Sequence, residues 1–380
     1  RSSIVERFDI VAWDPRGVGG SDPAIDCVDT MDDYFGLDPS PDNDEELKSL
    51  VEGAKSFADS CVARSGKILT HVGTIDAAQD MDVLRRALGE EQISFAGFSY
   101  GTKLGATWAT LFPTSVRAAV FDGAVDPILG YVDDLILQAE GFETSLNTFL
   151  DQCDVNQCSF MQVDDTARQA FDRIMLELDN APLICCPTRP PTNQGVAHMG
   201  IGVTLYASYR WGELEDALSA ASSGDGQPLL MLFDDYFGRQ NNGFIDNSID
   251  AYIAITCADR EEQLTPQDIL GLESRLQNVA PRLGASWIQE MMICAQWTTP
   301  TQGGLSLRAD TANRILVVGS IGDAATPLSG ARQMATTLGH ARLVVSQLEQ
   351  HTTYGSDPCV TQIVDEYLLT LSDGPDITNC

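Results

Sequence analysis

The chain has 380 residues, a formal charge of −32 at pH 7 and hydrophobic residues at 43% of its positions. This acidity excludes binding to nucleic acids and to anionic membranes, because both require clustered lysine and arginine side chains. The ordinary apolar fraction excludes a disordered chain, and no apolar run is long enough for a helix that spans a bilayer.

Strands and helices alternate in the first part of the chain. Residues 8–13 predict a short buried strand that ends in a run of turn-forming residues, and residues 75–88 predict an amphipathic helix. A strand at 93–96, a helix at 102–111 and a strand at 116–121 follow. This alternation predicts a mostly parallel α/β sheet.

A long insertion interrupts the alternation. We predict a first part of the core at 1–128, a mainly helical lid at 129–300 and the C-terminal part of the core at 301–380. The last part contains strands and helices in turn, predicted at 314–319, from residue 329, at 341–346 and at 360–371.

The ten cysteines indicate the compartment of the protein. None lies in a Cys-x-x-Cys pair and the four histidines are scattered, so we predict no metal site and no other cofactor. An even number of cysteines in an acidic chain predicts disulfides and a secreted, extracellular protein. The first residues lack the apolar stretch of a signal peptide, which favours a mature or trimmed chain.

A Gly-Phe-Ser-Tyr-Gly sequence at 97–101 carries the chemistry. It follows a predicted strand and precedes a predicted helix, which is the context of a nucleophile elbow. Ser99 is therefore the predicted nucleophile, and the Tyr100 N–H at the helix N-terminus is a predicted oxyanion-hole donor. We expect small residues at 97 and 101 to let strand and helix approach each other.

A serine nucleophile needs a base and an acid, which in this architecture follow it along the chain in the order acid, then histidine. His351 comes after a predicted strand, at the carboxyl end where sites of open sheets form, whereas His340 precedes that strand. His351 is therefore the predicted base. Asp323 is the predicted acid, and Asp122, also just past a strand, is the alternative.

Three segments resemble the α/β-hydrolase peptidases of the tripeptidyl aminopeptidase and prolyl aminopeptidase group, and they lie at 7–21, 97–102 and 322–327. Residues 290–380 are similar to the tripeptidyl aminopeptidase-like branch. The resemblance implies an α/β-hydrolase fold with a large lid, secretion, and release of short peptides from free N-termini. It also implies a catalytic triad of Ser99, Asp323 and His351.

The sequence departs from this family at two places. The family usually has a glycine before its catalytic histidine and often one after it, where this chain has Gln350 and Thr352. Its glycine-rich oxyanion loop lies upstream of a segment similar to residues 14–17, where few residues remain. We therefore expect a fragment or processed piece, with an N-terminal segment of the same precursor supplying the missing strands, rather than a reduced sheet.

Two carboxylates are predicted to bind the substrate. An aminopeptidase must pair the ammonium group of its substrate with a carboxylate. Asp259 lies in a segment that resembles part of the family's lid, and Glu213 lies beside Trp211.

Disulfides follow from proximity in the inferred fold. We expect Cys27 to pair with Cys61, Cys257 with Cys294, and Cys359 with Cys380. The four lid cysteines would then pair among themselves. Because a ring between adjacent cysteines is strained, Cys185 and Cys186 are expected to bridge to Cys153 and Cys158.

The predicted function is that of a secreted serine exopeptidase acting on free peptide N-termini through an acyl-enzyme. An esterase or small-amide hydrolase with the same triad is one alternative, and a catalytically silent binding protein of the same fold is another. Serine carboxypeptidases share the G-x-S-Y-G pattern, but the acidic residue usual before their serine is Phe98 here.

Overall fold

The computed structural model describes residues 4–240 and 243–380. A parallel sheet with the strand order β1-β2-β5-β6-β7 forms its centre, and β3 pairs with β4 in a small antiparallel hairpin. The strands are β1 (Ile93–Phe98), β2 (Val116–Asp122), β3 (Arg239–Gln240), β4 (Gly243–Phe244), β5 (Ile315–Ser320), β6 (Ala341–Ser346) and β7 (Ile377–Asn379).

Helices cover the sheet and build the lid. Before the lid they are α1 (Asp32–Phe35), α2 (Asp44–Ser65), α3 (Thr74–Ala87) and α4 (Tyr100–Leu111). Between β2 and β5 they are α5 (Tyr131–Asn156), α6 (Ala167–Asn180), α7 (Gln194–Leu205), α8 (Trp211–Ser222), α9 (Gln227–Tyr236), α10 (Ser248–Asp259), α11 (Pro266–Leu270), α12 (Glu273–Val279) and α13 (Gly284–Ala295). The last two are α14 (Leu328–Leu338) and α15 (Pro358–Thr370).

The two faces of the sheet are buried by different helices. Apolar side chains of α3, α4 and α14 pack on one face around Trp108 and Phe121, and α15 packs on the other face around Val364 and Tyr367. Full burial of each such large side chain contributes about 1.5–3 kcal/mol. The mostly parallel sheet and the mainly helical insertion predicted from the sequence are confirmed.

Helices α1 and α2 pack with the lid rather than with the sheet. Side chains of α1 and α2 share one buried cluster with α10 and α13, and Tyr34 on α1 donates a hydrogen bond to the Gln289 carbonyl oxygen on α13. The predicted divisions at 1–128, 129–300 and 301–380 stay predictions.

Two elements were predicted wrongly. Residues 8–13 form no strand, and Ile10 and Val11 are 65% and 54% exposed. An apolar run becomes a strand only when another strand pairs with its backbone, and within 4–240 and 243–380 none does. Conversely, the short strand β7 was not predicted, because it has few apolar residues. It pairs with β6 through Leu343 and Ile377.

The disulfides agree in part with the prediction. The pairs Cys27–Cys61, Cys257–Cys294 and Cys359–Cys380 are confirmed. The predicted bridges from Cys185 and Cys186 to Cys153 and Cys158 are wrong. Cys153 and Cys158 bond to each other because Cys153 lies in the last turn of α5 and Cys158 follows just after its end, which leaves their Cα atoms 4.8 Å apart. Cys185 and Cys186 are unbonded thiols.

In the part of the chain that the structure describes, no helix combines the length and the apolarity needed to cross a membrane.

Candidate active site

The carboxyl ends of four neighbouring strands bring the predicted site residues to one edge of the sheet. Ser99 follows β1 directly and Asp122 ends β2, whose register aligns it with Phe98. Asp323 lies in the loop after β5, and His351 lies in the loop after β6. His340 precedes β6, at the opposite end of the sheet, and its Nδ1 atom is bonded to a backbone carbonyl oxygen.

Ser99 occupies a strained turn between β1 and α4. Its φ of 53° and ψ of −123° lie in a region that non-glycine residues rarely adopt, at a cost of about 1–3 kcal/mol. A Cβ atom at Gly97 would clash with the Gly101 carbonyl oxygen, and one at Gly105 would clash with the Phe95 and Phe121 rings. An added Cβ at Gly101 itself meets nothing, so the small side chain expected there is not required by space.

His351 is held by a buried carboxylate. The Asp323 oxygens lie 2.9 and 3.0 Å from Nδ1 of His351, and the Asp323 side chain has no exposed surface. Asp323 also accepts hydrogen bonds from the backbone N–H groups of Ala325 and Thr326 and from the Thr326 hydroxyl. A carboxylate on Nδ1 fixes the tautomer that leaves Nε2 free to act as a base.

The side chain of Asp122, the alternative acid, binds the backbone of the loop that carries His351. One oxygen, Oδ2, accepts the N–H groups of Thr353 and Tyr354 at 2.9 and 2.7 Å, whereas Oδ1 has no partner among the described residues. Burial raises the pKa of Asp122, although the two N–H groups oppose the shift. Asp122 therefore positions the loop that carries His351, while Asp323 contacts the imidazole ring.

The lid also contacts this loop. The His351 N–H donates to the Tyr206 carbonyl oxygen at 2.7 Å, and Ala207 forms an antiparallel bridge with Gln350. The Tyr206 ring packs edge-on against the His351 ring with centroids 5.5 Å apart. Tyr206 thus fixes both the backbone and the ring plane of His351.

Thr352, which follows His351, has a backbone conformation that glycine adopts more readily than threonine. Its φ is 59°, a left-handed value that a β-branched residue adopts only with strain. Hydrogen bonds from Gln350 to the Thr352 carbonyl oxygen and from the Thr353 N–H to Asp122 hold the loop on either side.

Tyr100 begins α4, so its N–H lies among the helix N-terminal donors that have no acceptor within the helix. Its hydroxyl forms a 2.9 Å hydrogen bond with Thr74, and burial raises the pKa of this hydroxyl above its ordinary value. This anchoring fixes the first turn of α4 beneath Ser99. The oxyanion role of Tyr100 stays a prediction.

The two carboxylates predicted to bind substrate are already paired with cations of the chain. Asp259 accepts the Thr74 N–H at 2.7 Å and lies 2.9 Å from the Lys103 ammonium. Glu213 is half-exposed and lies 2.6 Å from Arg210. Asp259 thus contacts α4 through Lys103, whereas Glu213 contacts Arg210 in the lid. No observation tests the substrate-binding role of either residue.

Tyr206, Thr326 and the loop-holding role of Asp122 were missed. Thr326 lies three residues after Asp323, a spacing from which a hydroxyl reaches back to the carboxylate, so this contact had a local signal. Tyr206 had none, because its contact depends on how the lid folds over the sheet.

Comparisons with known proteins agree with this geometry. Residues 2–177 match the family described as alpha/beta hydrolase fold, and residues 280–380 match the family described as TAP-like protein. Serine protease Hip1 of Mycobacterium tuberculosis is 31% identical over 392 residues, covering 99% of this chain and 75% of that protein.

Two further relatives have a similar extent. Carboxylesterase B of Mycobacterium tuberculosis is 33% identical, covering 100% of this chain and 74% of its own length. Tripeptidyl aminopeptidase of Streptomyces lividans is 29% identical, covering 99% of this chain and 71% of its own length. The fold and these similarities define a serine hydrolase. The chain belongs to the α/β-hydrolase family, and its C-terminal part matches the TAP-like model.

Proposed function

We propose that this serine hydrolase is an exopeptidase that releases short peptides or amino acids from free peptide N-termini. The observation that carries the proposal is the Asp323–His351 hydrogen bond at the sheet edge where Ser99 occupies the strand-to-helix turn. The names of two relatives, a serine protease and a tripeptidyl aminopeptidase, support the peptidase reading.

In the proposed reaction Ser99 attacks the scissile carbonyl carbon and His351 accepts the hydroxyl proton at Nε2. The Tyr100 N–H stabilises the negative charge that develops on the carbonyl oxygen. His351 then donates the proton to the leaving amine, and the acyl group stays on Ser99 until water, deprotonated by His351, releases it. Asp323 stabilises the imidazolium in both steps.

An esterase with the same triad is the second candidate, and it is favoured by the similarity to Carboxylesterase B. The exopeptidase and the esterase are distinguished by measuring kcat/KM for three substrates. These are a peptidyl anilide with a free N-terminus, the same anilide with an acetylated N-terminus, and a short-chain nitrophenyl ester. A preference for the free amine supports the exopeptidase. Hydrolysis of esters alone supports the esterase.

The nucleophile is tested independently of the substrate. A fluorophosphonate probe should label the native protein, and Ser99→Ala should abolish both labelling and hydrolysis. Ser115→Ala, in the loop before β2, serves as the control because Ser115 is a buried serine remote from the sheet edge. Labelling that persists in Ser99→Ala would contradict the assignment.

We further propose that an N-terminal segment of the same precursor covers β1. Within the described residues β1 is hydrogen-bonded to β2 only, and Phe98 at its end is 45% exposed. The apolar side chains of Ile10 and Val11 are exposed as well. A longer clone should slow amide hydrogen exchange in β1. Unchanged exchange in β1 would contradict this proposal.

We also propose that the protein is secreted. The four disulfides support an oxidising compartment, because reducing compartments do not maintain such bonds. Detection of the protein in the culture medium rather than in the cell lysate tests it.

A further inference from the structure

A carboxylate at the end of lid helix α10 binds two helices of the core. Asp259 is the last residue of α10, and its side chain is 7% exposed. Its Oδ1 atom accepts the backbone N–H of Thr74 at 2.7 Å, and its Oδ2 atom accepts the Thr74 hydroxyl. Oδ2 also lies 2.9 Å from the Lys103 ammonium group. Both oxygens are therefore bound, to α3 through Thr74 and to α4 through Lys103.

Asp259 caps the N-terminus of α3 from outside that helix. Gly73, the residue before α3, has no side chain to accept the first N–H groups, and a Cβ atom there would lie 3.0 Å from Oδ1 of Asp259. A carboxylate at a helix N-terminus is stabilised by the N–H groups that have no acceptor within the helix and by the helix dipole. The α3 N-terminus and the Lys103 ammonium together compensate the charge of a carboxylate with little exposure.

The Thr74 hydroxyl extends this contact to the residue after the nucleophile. A carboxylate accepts hydrogen bonds and does not donate them, so the single hydroxyl proton of Thr74 is donated to Asp259. The Thr74 oxygen, 2.9 Å from the Tyr100 hydroxyl, therefore accepts the Tyr100 proton. Burial, and after it the charge of Asp259, raises the pKa of the Tyr100 hydroxyl, which keeps this donor protonated. A directed chain of hydrogen bonds thus runs from Tyr100 through Thr74 to Asp259.

The same carboxylate is connected to α4 at two positions. Tyr100 and Lys103 are three residues apart on α4, which places their side chains on one face of the helix. Attachment at both positions restrains the rotation of α4 about its axis as well as the place of its first turn. The Tyr100 N–H, the predicted oxyanion-hole donor, belongs to that turn. Its direction relative to Ser99 therefore depends on Asp259.

The end of α10 is itself fixed, so Asp259 is a rigid point of attachment. Cys257, two residues earlier, is bonded to Cys294 on α13. The Ala258 carbonyl oxygen accepts the Gln302 N–H at 2.8 Å. These bonds hold the end of α10 to α13 and to the segment that follows α13.

These contacts favour a positioning role for Asp259 over direct contact with the substrate. A substrate ammonium group would have to compete with Lys103 for a side chain that is 7% exposed. Lys103 already supplies the positive charge that an ammonium group would bring, and Thr74 binds both carboxylate oxygens.

We propose that Asp259 is a positioning residue of the lid that holds the Tyr100 N–H toward the oxyanion, acting through Thr74 and Lys103. This role rests on the proposed acyl-enzyme reaction, and it applies to an exopeptidase and to an esterase alike. It makes the geometry of the oxyanion hole depend on the lid.

The test compares Asp259→Asn with the native protein on the free anilide, the acetylated anilide and the nitrophenyl ester. Asparagine removes the charge that binds Lys103 and one of the two acceptor oxygens, so the first turn of α4 should shift. A misplaced oxyanion donor should lower kcat/KM about 10-fold, mainly through kcat. The factor should be the same for every substrate that the native protein hydrolyses.

Two readouts separate positioning from a loss of stability. In an N-acetylated peptidyl trifluoromethyl ketone, Ser99 adds to the ketone carbon and His351 takes the hydroxyl proton, which leaves an oxyanion at the Tyr100 N–H. The Ki of this inhibitor should rise in Asp259→Asn by the factor by which kcat/KM falls. The acidic limb of the pH profile of kcat/KM, which reports His351, should stay at its native position.

Tyr100→Phe tests the same chain from its other end. It removes only the hydroxyl that donates to Thr74, and it should lower kcat/KM about 3- to 10-fold with a matching rise in Ki. The double variant should lose no more than about twofold beyond Asp259→Asn alone, because both substitutions act through one chain of contacts. If Asp259→Asn does not fold, Tyr100→Phe and its Ki decide the question.

Asp82→Asn is the matched control. Asp82 is also a buried acid, paired with Arg85 at 2.7 Å, and it lies eight residues after Thr74, about 12 Å along α3. It should lower the melting temperature without a comparable loss of kcat/KM.

Four outcomes would contradict the proposals, and they differ from one another. A loss confined to the free N-terminus would overturn the positioning role and show that Asp259 binds the substrate amine. Native kcat/KM or native Ki in Asp259→Asn would overturn it as well. An equal loss in Asp82→Asn would assign the effect to stability. Hydrolysis that persists in Ser99→Ala would instead overturn the proposed reaction.

Discussion

Asp122→Ala removes the carboxylate oxygen that holds the histidine loop. That oxygen accepts two backbone N–H groups, from Thr353 and Tyr354, in a place that is only 1% exposed. Each hydrogen bond to a charged acceptor is worth about 1.5–3 kcal/mol. Because removing a buried charge recovers part of this, we expect the free energy of unfolding to fall by about 3 kcal/mol.

The effect on catalysis follows from the position of His351. The loop keeps its contacts with Tyr206 and Asp323 but loses its anchor on the sheet side. A displacement of the base by about 1 Å costs roughly 100-fold in kcat. Asp122→Asn should be far milder, since one oxygen accepts both N–H groups and the other has no partner among the described residues.

The assay measures kcat and urea unfolding for both variants and for one matched control variant in the lid. Glu143 is also buried, and its Oε2 atom accepts the consecutive N–H groups of Arg282 and Leu283 at 3.1 and 3.2 Å. Glu143→Ala should lower stability without a comparable loss of kcat. If Asp122→Asn lost kcat as severely as Asp122→Ala, the charge itself would be needed, and Asp122 would act as the triad acid instead of a loop anchor.

Three further predictions concern backbone strain, a thiol pair and a buried acid. Thr352→Gly should leave kcat unchanged and keep or raise the urea midpoint, because glycine adopts a φ of 59° without the strain of a β-branched residue, whereas Thr352→Val should not gain stability. Burial and the adjacent Cys186 thiol raise the pKa of Cys185 to about 11. Alkylation of Cys185 by iodoacetamide at pH 8, measured by mass spectrometry, should therefore be slow in the folded protein and fast in urea. Equal rates would refute this. Burial, with Asp26 nearby, raises the pKa of Asp250 to about 7, so between about pH 4 and 7 the folded state keeps a proton that the unfolded state releases. The free energy of unfolding, measured by urea titrations, should therefore fall as pH rises through this range. The fall should be smaller in Asp250→Asn.

The parts of the fold and site that the sequence predicted are those with local signals. Strand β6 occupies the predicted residues, and α3 differs from the predicted helix by one residue at each end, because apolar periodicity is a property of each segment alone. The glycines around Ser99 predicted the tight turn for the same reason. Asp323 and His351 were predicted to lie together because strand ends of a parallel sheet share an edge, and the two side chains are in contact.

The parts that could not be predicted depend on partners distant in sequence. Residues 8–13 have the composition of a strand, but they form one only if another strand pairs with them, and the composition of the segment does not predict that pairing. Strand β7 shows the reverse case, since a short polar segment becomes a strand when Cys359–Cys380 holds it beside β6.

Because the lid is hydrogen-bonded to the loop that carries His351, opening of the lid and positioning of His351 depend on each other. A lid that swung away as a rigid body would break the Ala207–Gln350 bridge and withdraw the carbonyl oxygen that orients His351. Such an open state would contain the nucleophile without a positioned base, and it would be inert toward any chain that entered. On the proposed function, hydrolysis would be restricted to substrates small enough, or ends narrow enough, to reach Ser99 while the lid stays closed. The proposed exopeptidase would then exclude folded proteins and internal peptide bonds through one short strand-like contact, independently of any recognition of the substrate itself.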